Sequence, residues 1–175
     1  MFARFNIQST PFLLFLNPDG TALDWIAGYK GGPEAFHRSI LDLLAGKETV
    51  ASLEALTARE PANPEPVIKL AGKYQKRNDR DKALELSLKA RDLSAKSGRT
   101  MRLENGATVS CSEMAEYQYA RTFMVTFGLM NHQPLRKFID SHPESPLARE
   151  AYLDLGRMFS CPTQGCRSAK SLNVA

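Results

Sequence analysis

The chain has 175 residues, 43% hydrophobic, 24% charged and 9% aromatic, with a formal net charge of +4. This balance excludes a wholly disordered chain, and the length suits one medium domain or two small ones. The longest uninterrupted apolar run, Pro11 to Leu16, is far shorter than the ~20 residues that span a bilayer. No basic-then-apolar leader with a small-residue cleavage site opens the chain. Location is therefore cytoplasmic by default, or exported if the native N-terminus is longer.

Charge is unevenly spread. Residues 1–50 carry four Lys/Arg and five Asp/Glu, residues 59–102 carry twelve and six, and the rest carry seven and eight. The basic excess thus sits in one helical stretch. Nucleic acid or an acidic partner is one reading of it. A solvated helix face is the favoured one, because six acids are interspersed and aromatics are almost absent.

In chain order, Phe12-Leu13-Leu14-Phe15-Leu16 is continuously apolar, the pattern of a strand buried on both faces. Asn17-Pro18-Asp19-Gly20 is a turn signal, and a second strand is predicted from Thr21 to Tyr29, with Trp25 and Tyr29 as core residues. Gly31-Gly32 breaks it. Pro33-Glu34 then opens a helix, with acid near the positive end of the dipole. Phe36, Ile40, Leu43 and Leu44 give that helix one apolar face.

Several residues of this segment, in this order, carry a resemblance. They are Phe5-Asn6-Ile7-Gln8-Ser9-Thr10-Pro11, the strand Phe12 to Leu16, Asn17-Pro18-Asp19-Gly20, Gly28-Tyr29 and Pro33-Glu34-Ala35-Phe36. Together they resemble the C-terminal half of a thioredoxin fold, over residues 3–47. The resemblance implies that Pro11 is the family's cis proline and that Thr10 and Pro11 border a peptide-binding groove. It also implies a catalytic Cys-x-x-Cys ahead of Phe5, and no such motif occurs in this chain. A hairpin alone is marginal in water, and a bare apolar edge invites pairing. The chain is therefore expected to be the tail of a longer protein. The alternative is that it borrows strands from a partner, a homodimer through the unpaired strand included.

From Thr49 to Phe159 the pattern is helical. Val50, Leu53 and Leu56 begin a short helix, and Pro61-Ala62-Asn63-Pro64 interrupts it. Val67, Leu70, Ala71 and Tyr74 mark one helix, and Ala83, Leu84 and Ala90 the next, with Asn78-Asp79 between them. This pair, Pro64 to Ser97, resembles one tetratricopeptide unit, a helical hairpin of roughly 34 residues. Ser87 and Ala95 depart from that pattern, which favours a large apolar residue and a proline there. Met101 to Val109, with Asn105-Gly106 inside, reads as a connector or a small hairpin. Ser110-Cys111-Ser112-Glu113 has capping-box spacing. Met114, Tyr117, Ala120, Phe123, Met124 and Phe127 then recur at helical spacing. Pro134 to Ile139 and Pro146 to Phe159 form another pair, with Leu147, Ala151, Leu155 and Met158 on one face. The linker His142-Pro143-Glu144-Ser145-Pro146 resembles those in tetratricopeptide-like arrays of bacterial proteins.

The expected fold is thus a partial α/β thioredoxin-like unit at 1–48, an all-α tetratricopeptide-like array at 49–160 and a flexible tail at 161–175. Chemistry is sparse. Cys161 and Cys166 flank a turn and stand as ordinary thiols, a structural disulfide, or a redox or metal pair. Four zinc ligands are not assembled by adding Cys111, His132 or His142, whose spacing does not fit. His37 reads as a surface or partly packed histidine. Gly28, Gly31 and Gly32 lack the residues of a phosphate loop. No catalytic residue, metal or cofactor is expected. The function these features imply is a protein- or peptide-binding or assembly module. The alternative is the C-terminal part of a thiol–disulfide oxidoreductase whose redox centre lies upstream of Met1. Expected partners are a protein or an extended peptide, not a membrane, with nucleic acid disfavoured.

Overall fold

The computed structural model describes Ile7 and residues 11–28, 32–103, 105–124 and 131–160. Within them lie two separate two-stranded antiparallel sheets and seven helices, a mixed α/β architecture dominated by helix. Among the described residues no helix is long and apolar enough to cross a membrane.

Strands β1 (Phe12–Leu16) and β2 (Ala22–Ala27) form the first hairpin, with Leu14 opposite Trp25 and Leu13 opposite Ile26. The turn closes as its residues dictate. Gly20 takes φ 78°, its N–H donates to the Asn17 carbonyl at 2.9 Å, and Asp19 Oδ1 accepts the Thr21 hydroxyl at 2.6 Å. Two expectations need correction. The second strand ends at Ala27, because Gly28 turns into the left-handed region at φ 78°; Tyr29 lies outside the described residues. Nor is β1 buried on both faces: Phe12 to Phe15 are half-buried and Leu16 is 48% exposed. Among the described residues only β2 lies beside it.

Helix α1 (Gly32–Leu44) follows, and its apolar face is incompletely covered. Leu43 is buried and Phe36 and Ile40 are half-buried, but Leu41 and Leu44 are exposed.

The remaining helices are bounded by local chemistry. Thr49 caps α2 (Val50–Arg59) by accepting the Ser52 N–H at 3.1 Å. Asn63 caps α3 (Pro64–Lys76), where Pro64 occupies the first turn without sacrificing a hydrogen bond. Asn78 makes the next turn at φ 63°, a conformation asparagine tolerates, and Asp79 caps α4 (Arg80–Ser94). Ala71 and Ala83 are wholly buried between α3 and α4, where a larger side chain would hold the helices apart. Ser87, also on α4, is wholly buried.

A second hairpin, β3 (Thr100–Arg102) and β4 (Thr108–Ser110), turns at Asn105-Gly106. It returns the chain to the end of α4, where the Cys111 N–H donates to the Arg99 carbonyl at 2.8 Å. Helix α5 (Cys111–Thr122) starts there with a complete capping box between Ser110 and Glu113. It stops earlier than its apolar spacing suggested. Phe123 and Met124 lie in a turn, and Phe127 is outside the described residues. Helices α6 (Gln133–Ser141) and α7 (Ala148–Ser160) complete the array. Leu135, Phe138 and Ile139 meet Leu147, Ala151, Leu155 and Met158 in the shared core.

That core also contains Trp25, so the hairpin and the helices are joined across the expected boundary at residue 48. Trp25 meets Tyr74 edge-on, with 5.4 Å between ring centroids, and the Arg77 guanidinium lies 4.4 Å over the indole. Beside it Lys73 Nζ donates to the buried Asp24 carboxylate.

Candidate functional site

Three helices line an open cleft of about 410 Å³. Its position follows from the second hairpin. Because β3 and β4 bring Cys111 back to Arg99, α5 begins where α4 ends; Arg121 and Thr122 in turn line a small cavity with Arg80 and Ala83. The two helices therefore run antiparallel. Helix α6 packs across α5 through Phe138, whose ring lies 5.5 Å from that of Tyr117. Arg91 from α4, Glu116 and Tyr119 from α5, and Gln133, Lys137 and Phe138 from α6 line the cleft.

The walls are held from behind. Tyr117 donates its hydroxyl to Asp154 Oδ2 at 2.9 Å, and Arg157 Nη1 donates to Oδ1 of the same carboxylate at 2.8 Å. Arg121 Nε lies 2.9 Å from Asp154 Oδ2, so a buried carboxylate of α7 fixes α5. Burial pushes the Tyr117 phenol well above the ordinary tyrosine range, keeping it neutral and a donor.

Electrostatics of the cleft are asymmetric. Glu116 is engaged by His142, with 2.9 Å between Oε2 and Nε2. The Arg91 guanidinium carbon lies over the Tyr119 ring, 4.4 Å from its centroid. Among the described residues neither Arg91 nor Lys137 has a carboxylate in ion-pair range. The cleft therefore offers, among the described residues, two cations outside ion-pair range of any carboxylate, with Glu116 also on its wall, over an aromatic floor of Tyr119 and Phe138. Its one lining serine among the described residues, Ser141, has no hydrogen bond to a base. Among the described residues no group of three or more His, Cys, Asp or Glu could hold a metal.

Of the residues singled out from sequence, Pro11, His37 and Cys111 do not line this cleft. Thr10, Cys161 and Cys166 are outside the described residues. Pro11 is exposed at the head of β1, its carbonyl accepting the Gly28 N–H at 2.9 Å. His37 is exposed on α1, and Cys111 is buried with its thiol pushed up by desolvation. Part of the basic stretch is committed to structure. Lys69 pairs with Glu48 and Glu65, each at 2.7 Å, and Lys82 pairs with Glu85 at 2.9 Å. Arg91, Tyr119 and Lys137 were not singled out. The available signals were an aromatic off the Tyr117–Ala120 stripe and a lysine beside the apolar Leu135–Phe138 pair.

Compared with known proteins, the chain matches no protein family, no curated protein and no solved structure.

Proposed function

We propose that this chain is a non-catalytic protein-binding module: a partial thioredoxin-like unit joined to a tetratricopeptide-like array that holds an extended acidic segment of a partner. The observation that carries this reading is the pair of cations Arg91 and Lys137, outside ion-pair range of any carboxylate among the described residues, on either side of an aromatic-floored cleft. A carboxylate of the bound segment would meet the cations, and a neighbouring apolar side chain would lie on Tyr119 and Phe138. Lys69, Lys73 and Lys76 are not the recognition residues in this scheme, since Lys69 and Lys73 are already paired within the fold. The groove implied beside Thr10 and Pro11 would supply a second, main-chain contact to the same kind of ligand.

The test is fluorescence anisotropy with a labelled peptide alternating glutamate and leucine. Binding is expected to fall steeply with salt, and Arg91→Glu or Lys137→Glu is expected to weaken it about tenfold, ~1.4 kcal/mol. Equal binding of a glutamine–leucine peptide, or indifference to both reversals, would remove the proposal. The strand–strand–helix order with Pro11 before β1 favours a second reading, part of a thiol–disulfide oxidoreductase with its dithiol upstream of Met1. Under that reading the chain itself shows no disulfide reductase turnover.

A further inference from the structure

Among the described residues the outer edge of β1 has no neighbouring strand. Strand β2 anchors the hairpin to the array, through Trp25 on Tyr74 and Asp24 on Lys73; Phe12 and Leu14 of β1 pack against the same core, and β1 pairs with β2 along one edge only among the described strands. Alternation along the hairpin says which groups point outward. The Pro11 carbonyl accepts from Gly28, and the Asn17 N–H donates to Thr21, so odd-numbered residues from 11 to 17 face β2. Phe12, Leu14 and Leu16 therefore direct their N–H and C=O groups to the free edge. The strand's own residues do not protect that edge: from Pro11 to Pro18 there is no charged residue, and the two prolines only bracket it.

We infer that this edge is a two-fold self-association surface, occupied by β1 of a second copy of the chain. The sequence of the strand selects that occupant. An antiparallel pairing centred on Leu14 sets Leu14 opposite itself, Phe12 opposite Leu16 and Leu13 opposite Phe15. All three outward-facing residues then exchange hydrogen bonds in one register, and every facing pair is apolar. A one-residue slip keeps the two-fold but sets inward-bonded residues against the outward-facing ones, so the edge hydrogen bonds are lost. The product is a four-stranded sheet, β2–β1–β1–β2, in place of two marginal hairpins. An isologous contact of this kind closes at two copies and does not propagate. It is independent of the α4–α5–α6 cleft, and either can fail alone.

Sedimentation equilibrium of the full chain tests it, together with two variants. The wild-type chain is expected to sediment at twice its 19.4 kDa, shifting to one chain on dilution. Leu16→Lys, at a position already 48% exposed, is expected to raise the dimer dissociation constant at least about tenfold while leaving the helical circular dichroism intact. Leu14→Cys is expected to cross-link to itself on mild oxidation, because an antiparallel hydrogen-bonded pair holds Cα atoms ~5.5 Å apart, within disulfide range. Ala22→Cys, on the inner strand, is expected not to. A monomer at every concentration overturns the inference, whether the edge is vacant or taken by a foreign strand. A dimer that does not cross-link through Leu14→Cys, or that Leu16→Lys leaves unchanged, also overturns it.

Discussion

The Lys73 ammonium lies 2.6 Å from the Asp24 carboxylate, across a joint between residues 49 positions apart in the chain. Asp24 is only 1% exposed, and its other oxygen accepts the Trp25 N–H at 2.8 Å. A carboxylate so placed is tolerable because both oxygens are satisfied; alone it would be costly. Asp24→Ala removes the charge and strands the lysine, which keeps some access to water. The expected loss is about 2–4 kcal/mol, read as a lower urea midpoint. Asp24→Asn should lose less, since its amide oxygen can still accept from Trp25.

Two glycines should respond oppositely to alanine. Gly28 ends β2 at φ 78°, and although a Cβ there would meet nothing within 4 Å, the backbone itself disfavours it. Gly28→Ala is expected to cost about 1 kcal/mol. Gly156 lies inside α7 with right-handed backbone and open space around its Cα. Gly156→Ala is expected to stabilise by roughly 0.5–1 kcal/mol, so thermal melts of the pair should move in opposite directions.

Acid should loosen the start of α5. Burial raises the Glu113 carboxyl, but hydrogen bonds from the Ser110 hydroxyl and N–H outweigh it and leave the group below its ordinary value of 4.5. A depressed carboxyl contributes stability that is complete above its unfolded-state value and lost as pH falls through the folded one. The loss belongs below about pH 4.5. Glu113→Gln preserves the cap's shape without the titration, and urea midpoints measured down this pH range should fall less for the variant.

Alkali acts through the tyrosines. Burial raises the phenols of Tyr117 and Tyr74 above 10.0. An unfolded chain would release those protons first, so stability is intact below about pH 10 and declines above it. Ultraviolet titration should show two phenols lagging the rest. Tyr117→Phe removes one of them and one hydrogen bond to Asp154, costing about 1 kcal/mol at neutral pH.

Much of the local structure was legible in the residues. Ser110 was legible as a cap from its spacing to Glu113, and the structure adds Thr49, Asn63 and Asp79, since a short polar side chain next to orphan N–H groups can satisfy them. The hairpins at Gly20 and Gly106 follow from glycine's access to positive φ. What was hidden depends on distant partners. Asp24 looked like one acid among five in the first fifty residues, and only Lys73 explains its burial. Arg91 looked like one of twelve basic residues in a solvated stretch, until α5 placed Tyr119 beneath it. Likewise α5 ends at Thr122, short of an apolar spacing that continues to Phe127, and β1 is less covered than its composition suggested. Spacing alone sets neither a helix's last residue nor what covers a strand.

Trp25 is the single tryptophan of the chain, and it sits at the joint rather than in the middle of the helical array. Its indole N–H lies 3.4 Å from the Lys73 carbonyl, and a guanidinium covers one face. Intrinsic emission excited near the red edge of the absorption band therefore reports a single event, the docking of the first hairpin on α3. If that hairpin lifts away before the helices melt, the emission maximum shifts to longer wavelength while the far-ultraviolet signal stays constant. The molecule thus carries its own optical gauge of whether its two parts come apart separately or together.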